Sequence, residues 1–161
     1  MGHDSIEPLE PGTWLLQLKQ LAERAPADEA ALAMALRRGF HLVQLTPRPL
    51  RHIIACSVSE QAFEQLLESG ALLPAAAALV GDRLSYSLQM AAENRTEAEV
   101  RFADDSPPCR ALGASLPFAL FAAWLKCLLT LSQPTEFGQE WAKSPTPRKS
   151  QFGPRPKPTE H

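Results

Sequence analysis

The sequence of 161 residues contains little cysteine, only Cys56, Cys109 and Cys127. An odd number of widely separated cysteines, with no C-x-x-C pair, fits neither a disulfide framework nor a zinc ribbon. The first residues also lack the basic and apolar regions of a secretory signal. We therefore predict a cytoplasmic protein that holds no metal and no other cofactor.

Long apolar runs are also missing. The longest, from Leu116 to Leu131, has 16 residues and contains Lys126, whereas a membrane-spanning helix needs roughly 20. Helical spacing places small or polar residues on one face of this segment and large apolar residues on the other. The pattern predicts a helix that packs against a core or presents its apolar face to a partner. The candidate interface residues at the centre of that face are Phe121, Trp124 and Leu128.

Catalytic motifs are absent as well. The sequence has no glycine-rich nucleotide loop, no G-x-S-x-G turn and no H-E-x-x-H pair, so the mechanisms that those spacings support are not predicted. Cys56 with His41 or His52 is the remaining candidate nucleophile, but a cysteine in an apolar segment usually acts as a small hydrophobic residue. We therefore predict that the protein is not an enzyme and has no small-molecule substrate.

Alanine and leucine are abundant, with 24 residues of each, and 45% of the chain is hydrophobic. That supply is enough for one core without disulfides or metals. After residue 133 the apolar pattern ends, and residues 143–161 contain five prolines and five Lys or Arg against one Glu. We predict a flexible segment over residues 1–12, one domain over 13–133 and a disordered, proline-rich basic tail over 134–161.

Capping residues and apolar stripes predict four helices. The predicted helices run from Thr13 to Arg24, from Asp28 to Arg38 with Gly39 just beyond, from Ser57 or Ser59 to Ser69, and from Leu116 to Leu131.

Strict alternation in residues 84–90 and 97–102 predicts a hairpin. Residues 40–45 and 52–58 predict another hairpin across a proline-rich connection, and residues 75–80 fit a helix or a short strand, with a slight preference for the strand. In the hairpin over residues 84–102 the side chains expected to face inward are Leu84, Tyr86, Leu88, Met90, Ala98, Val100 and Phe102.

These elements indicate an α+β fold, with an antiparallel sheet of four to five strands in two hairpins or a meander and helices packed on one face. Their order, together with an acidic body, is similar to that of the small acidic dimeric chaperones that escort substrates of type III secretion systems. The similarity covers element order and acidity alone. It implies a small dimeric binding protein of the bacterial kind.

The net charge of −2 is unevenly distributed. Residues 1–142 hold 11 Lys or Arg and 17 Asp or Glu, while residues 30–59 contain four arginines, two histidines and no acid. Arginine can bind a carboxylate or phosphate with two parallel hydrogen bonds. The alternative is that Arg37 and Arg38 interact with the C-terminus of their own helix. Arg48 and Arg51 would then form salt bridges with Glu60, Glu64 and Glu68. The candidate anion-binding or partner-binding residues are Arg37, Arg38, Arg48, Arg51 and His52.

The abundance of apolar helix residues and the absence of a catalytic grouping lead to one functional prediction. We expect a non-enzymatic, self-associating binding or adaptor protein, chaperone-like in character, whose partner is another protein or a second copy of the chain. The alternative is a nucleic-acid-associated accessory protein that uses residues 37–52 and the basic tail, because basic disordered segments bind phosphate backbones by counterion release.

Overall fold

The computed structural model describes residues 7–102 and 106–131, so the predicted tail over 134–161 lies outside the described residues. The α+β class is confirmed, but the prediction of four to five strands is wrong, because the described residues form one sheet of three antiparallel strands. In chain order the elements are α1 (Pro11–Glu23), α2 (Glu29–Gln44), a 3-10 turn (Arg48–Leu50), α3 (Glu60–Glu68), α4 (Leu72–Val80), β1 (Ser85–Met90), β2 (Thr96–Arg101), β3 (Cys109–Gly113) and α5 (Leu116–Leu131).

The first helix begins earlier than predicted. Pro11 occupies its first turn, where a proline loses no helical hydrogen bond, so Thr13 lies inside the helix and is not its N-cap. The buried indole of Trp14 donates a 2.9 Å hydrogen bond to the carbonyl oxygen of Leu42. This bond joins α1 to the last turns of α2.

The second helix is longer than predicted, and it contains the residues assigned to a first strand. Asp28 is its N-cap and accepts a hydrogen bond from the backbone of Ala31 at 2.8 Å. The predicted strand over 40–45 is wrong because Gly39 does not end the helix. A Cβ at Gly39 would lie 3.1 Å from Leu79 and 3.2 Å from Trp124, so this glycine permits close packing of α2 against α4 and α5.

The predicted strand over 52–58 is also wrong. Two prolines, Pro47 and Pro49, restrict the chain after α2, and the backbone turns tightly instead of extending. The backbone N–H groups of Ile53 and Ile54 both donate to the carbonyl oxygen of Leu50. The two isoleucines are buried, so their apolar character reflects packing of a turn against the core.

The third helix is confirmed, with Ser59 as its N-cap and Gly70 at a φ of +77° just after its end. The fourth helix replaces the strand that residues 75–80 were expected to form. Its buried residues lie on most of its circumference, so the sequence shows no helical alternation between apolar and polar positions.

The hairpin of β1 and β2 is confirmed, with Tyr86 opposite Val100 and Leu88 opposite Ala98. The third strand, β3, pairs with the other edge of β2. The last helix, α5, packs mainly on β3 and β2 and barely contacts β1. The observed order places four helices before the sheet, so the element order that suggested the secretion chaperones is not the order found.

Candidate functional site

The structure places the three candidate interface residues of α5 in the core. Phe121, Trp124 and Leu128 are 2%, 1% and 0% exposed, and the rings of Phe121 and Trp124 stack with centroids 5.8 Å apart. Their apolar face contacts the rest of the chain and is not on the surface. These three residues therefore do not form a partner-binding surface of the folded chain.

The candidate basic residues do not form one cluster. The guanidinium of Arg37 donates two 2.8 Å hydrogen bonds to the carboxylate of Glu64, which joins α2 to α3. These bonds raise the pKa of Arg37 and lower the pKa of Glu64. Arg37 thus forms the kind of salt bridge that was expected of Arg48 and Arg51.

Arg51 has a structural contact of another kind. Its Nε donates a 3.1 Å hydrogen bond to the carbonyl oxygen of Thr46, just after the end of α2. A cation at this position also interacts favourably with the partial negative charge of the helix C-terminus. Arg48 and His52 are exposed on the same turn.

Arg38 lies in a concave site between two helices, which we name the α1–α2 pocket. This cavity has a volume of about 410 Å³ and brings Arg38 together with Arg24 and His41. Neither Arg24 nor His41 was among the candidate anion-binding residues, and His41 was considered only as a partner of Cys56. The lining residues are Gln17, Gln20, Leu21, Arg24, Arg38, His41, Leu42 and Leu45, with no acidic side chain.

A helical pattern that the sequence analysis overlooked identifies this pocket. The lining positions on α2 are separated by three, one and three residues, and those on α1 follow the same spacing. That spacing is the signature of one helix face. Assigning residues 40–45 to a strand placed His41 and Leu45 on a different element from Arg38 and concealed the site.

The inner side of β1 is the second candidate surface, and we name its residues Tyr86, Leu88 and Met90 the open strand face. All three lie on the side of the sheet that α5 covers over β2. Tyr86 is 44% exposed and Met90 is 71% exposed, whereas Ala98 and Val100, which lie on the same side of the sheet on β2, are fully buried. The prediction that Tyr86 and Met90 face inward is therefore wrong, because the helix cover ends before it reaches β1.

The opposite side of the sheet is polar and internally paired. Glu99 accepts hydrogen bonds from Arg110 at 2.9 Å and Arg101 at 3.2 Å, and these bonds lower its pKa. Gln89 donates to Glu97 across the hairpin. This side is therefore suited to contact with water.

The two edges of the sheet differ in their protection against further pairing. The β3 edge carries Arg110 and follows Pro107 and Pro108, which are features that discourage strand addition. The β1 edge, with the sequence SYSLQM, has no charge and no proline. Within the described part of the chain β1 pairs with one strand only, so its outer edge is open to another strand.

Chemistry at Cys56 receives no support from its surroundings. Burial raises the pKa of its thiol, which keeps the group in its unreactive protonated form. Among residues 7–102 and 106–131, no three His, Cys, Asp or Glu side chains are grouped so that they could hold a metal ion.

Comparison of the chain with models of protein families, with curated proteins and with solved structures finds no match. In the part of the chain that the structure describes, no helix has both the length and the apolar character needed to cross a bilayer.

Proposed function

We propose that the protein is a non-enzymatic binding protein that self-associates by pairing β1 with β1 of a second copy. The observation that supports this proposal most strongly is the combination, on one strand, of an unprotected edge and the open strand face. Natural proteins that remain monomeric usually protect such an edge with charge, proline or cover. Antiparallel pairing about a two-fold axis would satisfy its unpaired backbone groups.

The register of this pairing follows from the alternation of β1. An axis at Leu88 would place Leu88 opposite its own copy and Tyr86 opposite Met90 of the second chain, with the apolar faces of both strands on the same side. Contact between a methionine sulfur and an aromatic ring is favourable by about 0.3 to 1.5 kcal/mol. The other face of β1 contributes Ser85, Ser87 and Gln89, so no like charges would oppose each other.

Self-association of this kind would also create the binding surface of an adaptor. The two copies of α5 lie over β2 and β3, so they would flank a groove whose floor is the open strand face of both chains. An apolar groove between two helices suits a helical or extended apolar segment of a protein partner. We propose that the adaptor partner binds there.

The test is the molar mass of the protein in solution, measured by size-exclusion chromatography with light scattering over a concentration series. We expect a dimer for the native chain. Leu88→Lys would oppose two ammonium groups at the axis and remove apolar contact, so we expect dimerisation weaker by about 100-fold or more, which corresponds to roughly 2.7 kcal/mol.

Leu112→Lys is the matched control, because Leu112 is 50% exposed on the polar side of β3. It adds the same charge away from β1 and should leave the dimer intact. Circular dichroism of both variants establishes that each is folded. A monomeric native chain, or equal weakening by the two substitutions, would contradict the proposal.

A second candidate function is supported by the α1–α2 pocket. Its volume of about 410 Å³ falls in the range of ligand sites, roughly 300 to 1,000 Å³. Two arginines, a histidine and three leucines in its lining suit a ligand that combines an anionic group with an apolar part.

The fluorescent probe anilinonaphthalene sulfonate has this combination of groups. We expect the double variant Arg24→Gln/Arg38→Gln to bind it about 10-fold more weakly or worse, because two cations are lost from the site. Arg48→Gln is the control, since Arg48 is exposed outside the pocket. Equal probe affinity in the native chain and the double variant would exclude an anion site in this pocket.

The alternative of a nucleic-acid accessory role stays a prediction. The fold holds Arg37 against Glu64 and Arg51 against the end of α2, which separates the cations of residues 37–52. The basic tail lies outside the described residues. We favour protein binding because β1 combines an apolar face with an open edge.

A further inference from the structure

Two cysteines meet where α5 packs on β3, and we name them the thiol pair. Cys109 lies on β3, and Cys127 lies on α5. Both cysteines line the same small cavity at this contact. Cys109 Sγ also lies 3.7 Å from the hydroxyl oxygen of Thr130, one turn further along α5. The contact between strand and helix therefore brings two cysteines that are far apart in sequence to one cavity.

A small cavity connects the thiol pair to the outside. It has a volume of about 150 Å³ and an almost entirely apolar lining that includes both cysteines, Phe102 and Pro107. Cys109 is half-buried, whereas Cys127 is 3% exposed. A reagent slightly larger than water, which occupies about 30 Å³ in the liquid, can enter this space, and the sulfur it meets on the more exposed side is Cys109.

The surroundings of Cys109 favour its thiolate form. The neighbouring Cys127 makes the largest contribution, and the ammonium group of Lys126, which is held nearby by a 2.8 Å hydrogen bond to the carbonyl oxygen of Arg110, adds to it. Together they lower the pKa of Cys109 to about 6. The pKa of Cys127 is raised, because it interacts with Cys109 and is buried. The opposite directions of the two pKa shifts make Cys109 the nucleophile of the pair.

We propose that the thiol pair is a redox site at which a small peroxide oxidises Cys109 and Cys127 then converts the product to an intramolecular disulfide. An accessible sulfur with a second sulfur beside it is the arrangement of a peroxide-reactive cysteine and its resolving cysteine. This inference is independent of self-association through β1.

The chemistry balances with hydrogen peroxide as the oxidant. The thiolate of Cys109 attacks one peroxide oxygen, the O–O bond breaks, and the departing hydroxide takes a proton to become water, which leaves Cys109 as a sulfenic acid. The sulfur of Cys127 then attacks that sulfur, and the hydroxyl group leaves as a second water with the thiol proton. The two cysteines lose two electrons, and the peroxide gains them.

The direct test is mass spectrometry of the full chain after brief treatment with hydrogen peroxide, followed by proteolysis without reductant. We expect a peptide pair joined by a Cys109–Cys127 disulfide and restored to free thiols by dithiothreitol. In Cys127→Ser, Cys109 should accumulate as a sulfenic acid that dimedone labels. Cys56→Ser is the control and should form the same disulfide as the native chain.

A second measurement needs no substitution. The rate at which iodoacetamide alkylates Cys109 in the native chain should rise with pH around a midpoint near 6, whereas an ordinary thiol has a midpoint near 8.5. A midpoint near 8.5, or peroxide treatment that yields neither a Cys109–Cys127 disulfide nor a sulfenic acid on Cys109, would overturn the proposal.

Discussion

Gly81→Ala is expected to destabilise the protein by roughly 4 kcal/mol or more, a size that single substitutions rarely reach. Gly81 follows the last turn of α4 with φ +76° and ψ −168°, a conformation essentially restricted to glycine. A Cβ there would also lie 2.0 Å from the carbonyl oxygen of Ala55. Urea unfolding followed by circular dichroism measures the loss, and a loss below about 1 kcal/mol would contradict this expectation.

Gly70→Ala is the matched control for that experiment. Gly70 has a φ of +77°, nearly the same as that of Gly81, but a Cβ at Gly70 would meet no atom within 4 Å. Its substitution therefore introduces the strain of a positive φ without the collision, at a cost of roughly 1 kcal/mol. The difference between the two variants measures the collision with Ala55 together with the added strain of the ψ of −168° at Gly81.

Gly113→Ala is expected to have the second largest effect, a loss of about 3 kcal/mol, at the upper end of the usual range for overpacking. Gly113 ends β3, and a Cβ there would lie 2.6 Å from the backbone nitrogen of Ala119 and 2.9 Å from its Cα. Because these are backbone atoms of α5, the helix itself must move away from the sheet.

Gly39→Ala is the comparison that tests this reasoning by the same urea titration. The atoms nearest to its added Cβ are the side-chain ends of Leu79, Trp124 and Phe121, at 3.1 to 3.4 Å. Side chains adjust more easily than backbone, so a smaller loss is expected than for Gly113→Ala. A larger loss of stability in Gly39→Ala than in Gly113→Ala would contradict the expectation that the backbone contact between β3 and α5 is the less adjustable one.

Local signals in the sequence predicted the elements that have one exposed face. The hairpin of β1 and β2 followed from alternation, and α3 followed from Ser59 and a single apolar stripe. The sequence failed at α4, whose apolar residues are buried on most sides and leave no periodic pattern. The strand predicted around Phe40 and Val43 was also wrong. These two residue types favour strands, and Gly39 before them resembles a helix end, but all three residues lie inside α2.

Predicting the candidate surfaces also required knowing how the helices and strands pack together. The alternation of β1 showed that Tyr86, Leu88 and Met90 share a face, but the end of the helix cover depends on where α5 crosses the sheet. The α1–α2 pocket was within reach, because a helical interpretation of residues 38–45 aligns Arg38 with His41. The meeting of Cys109 with Cys127 depends on the contact between β3 and α5, which no local pattern specifies.

Amide hydrogen exchange of residues 85–90, compared between dilute and concentrated protein, tests pairing through β1 most directly. An edge strand has backbone N–H groups without partners, and pairing with a second copy would protect them. We predict that exchange in this segment slows as concentration rises, while exchange in β3 stays unchanged. Exchange in residues 85–90 that is equally fast at both concentrations would contradict self-association through this strand.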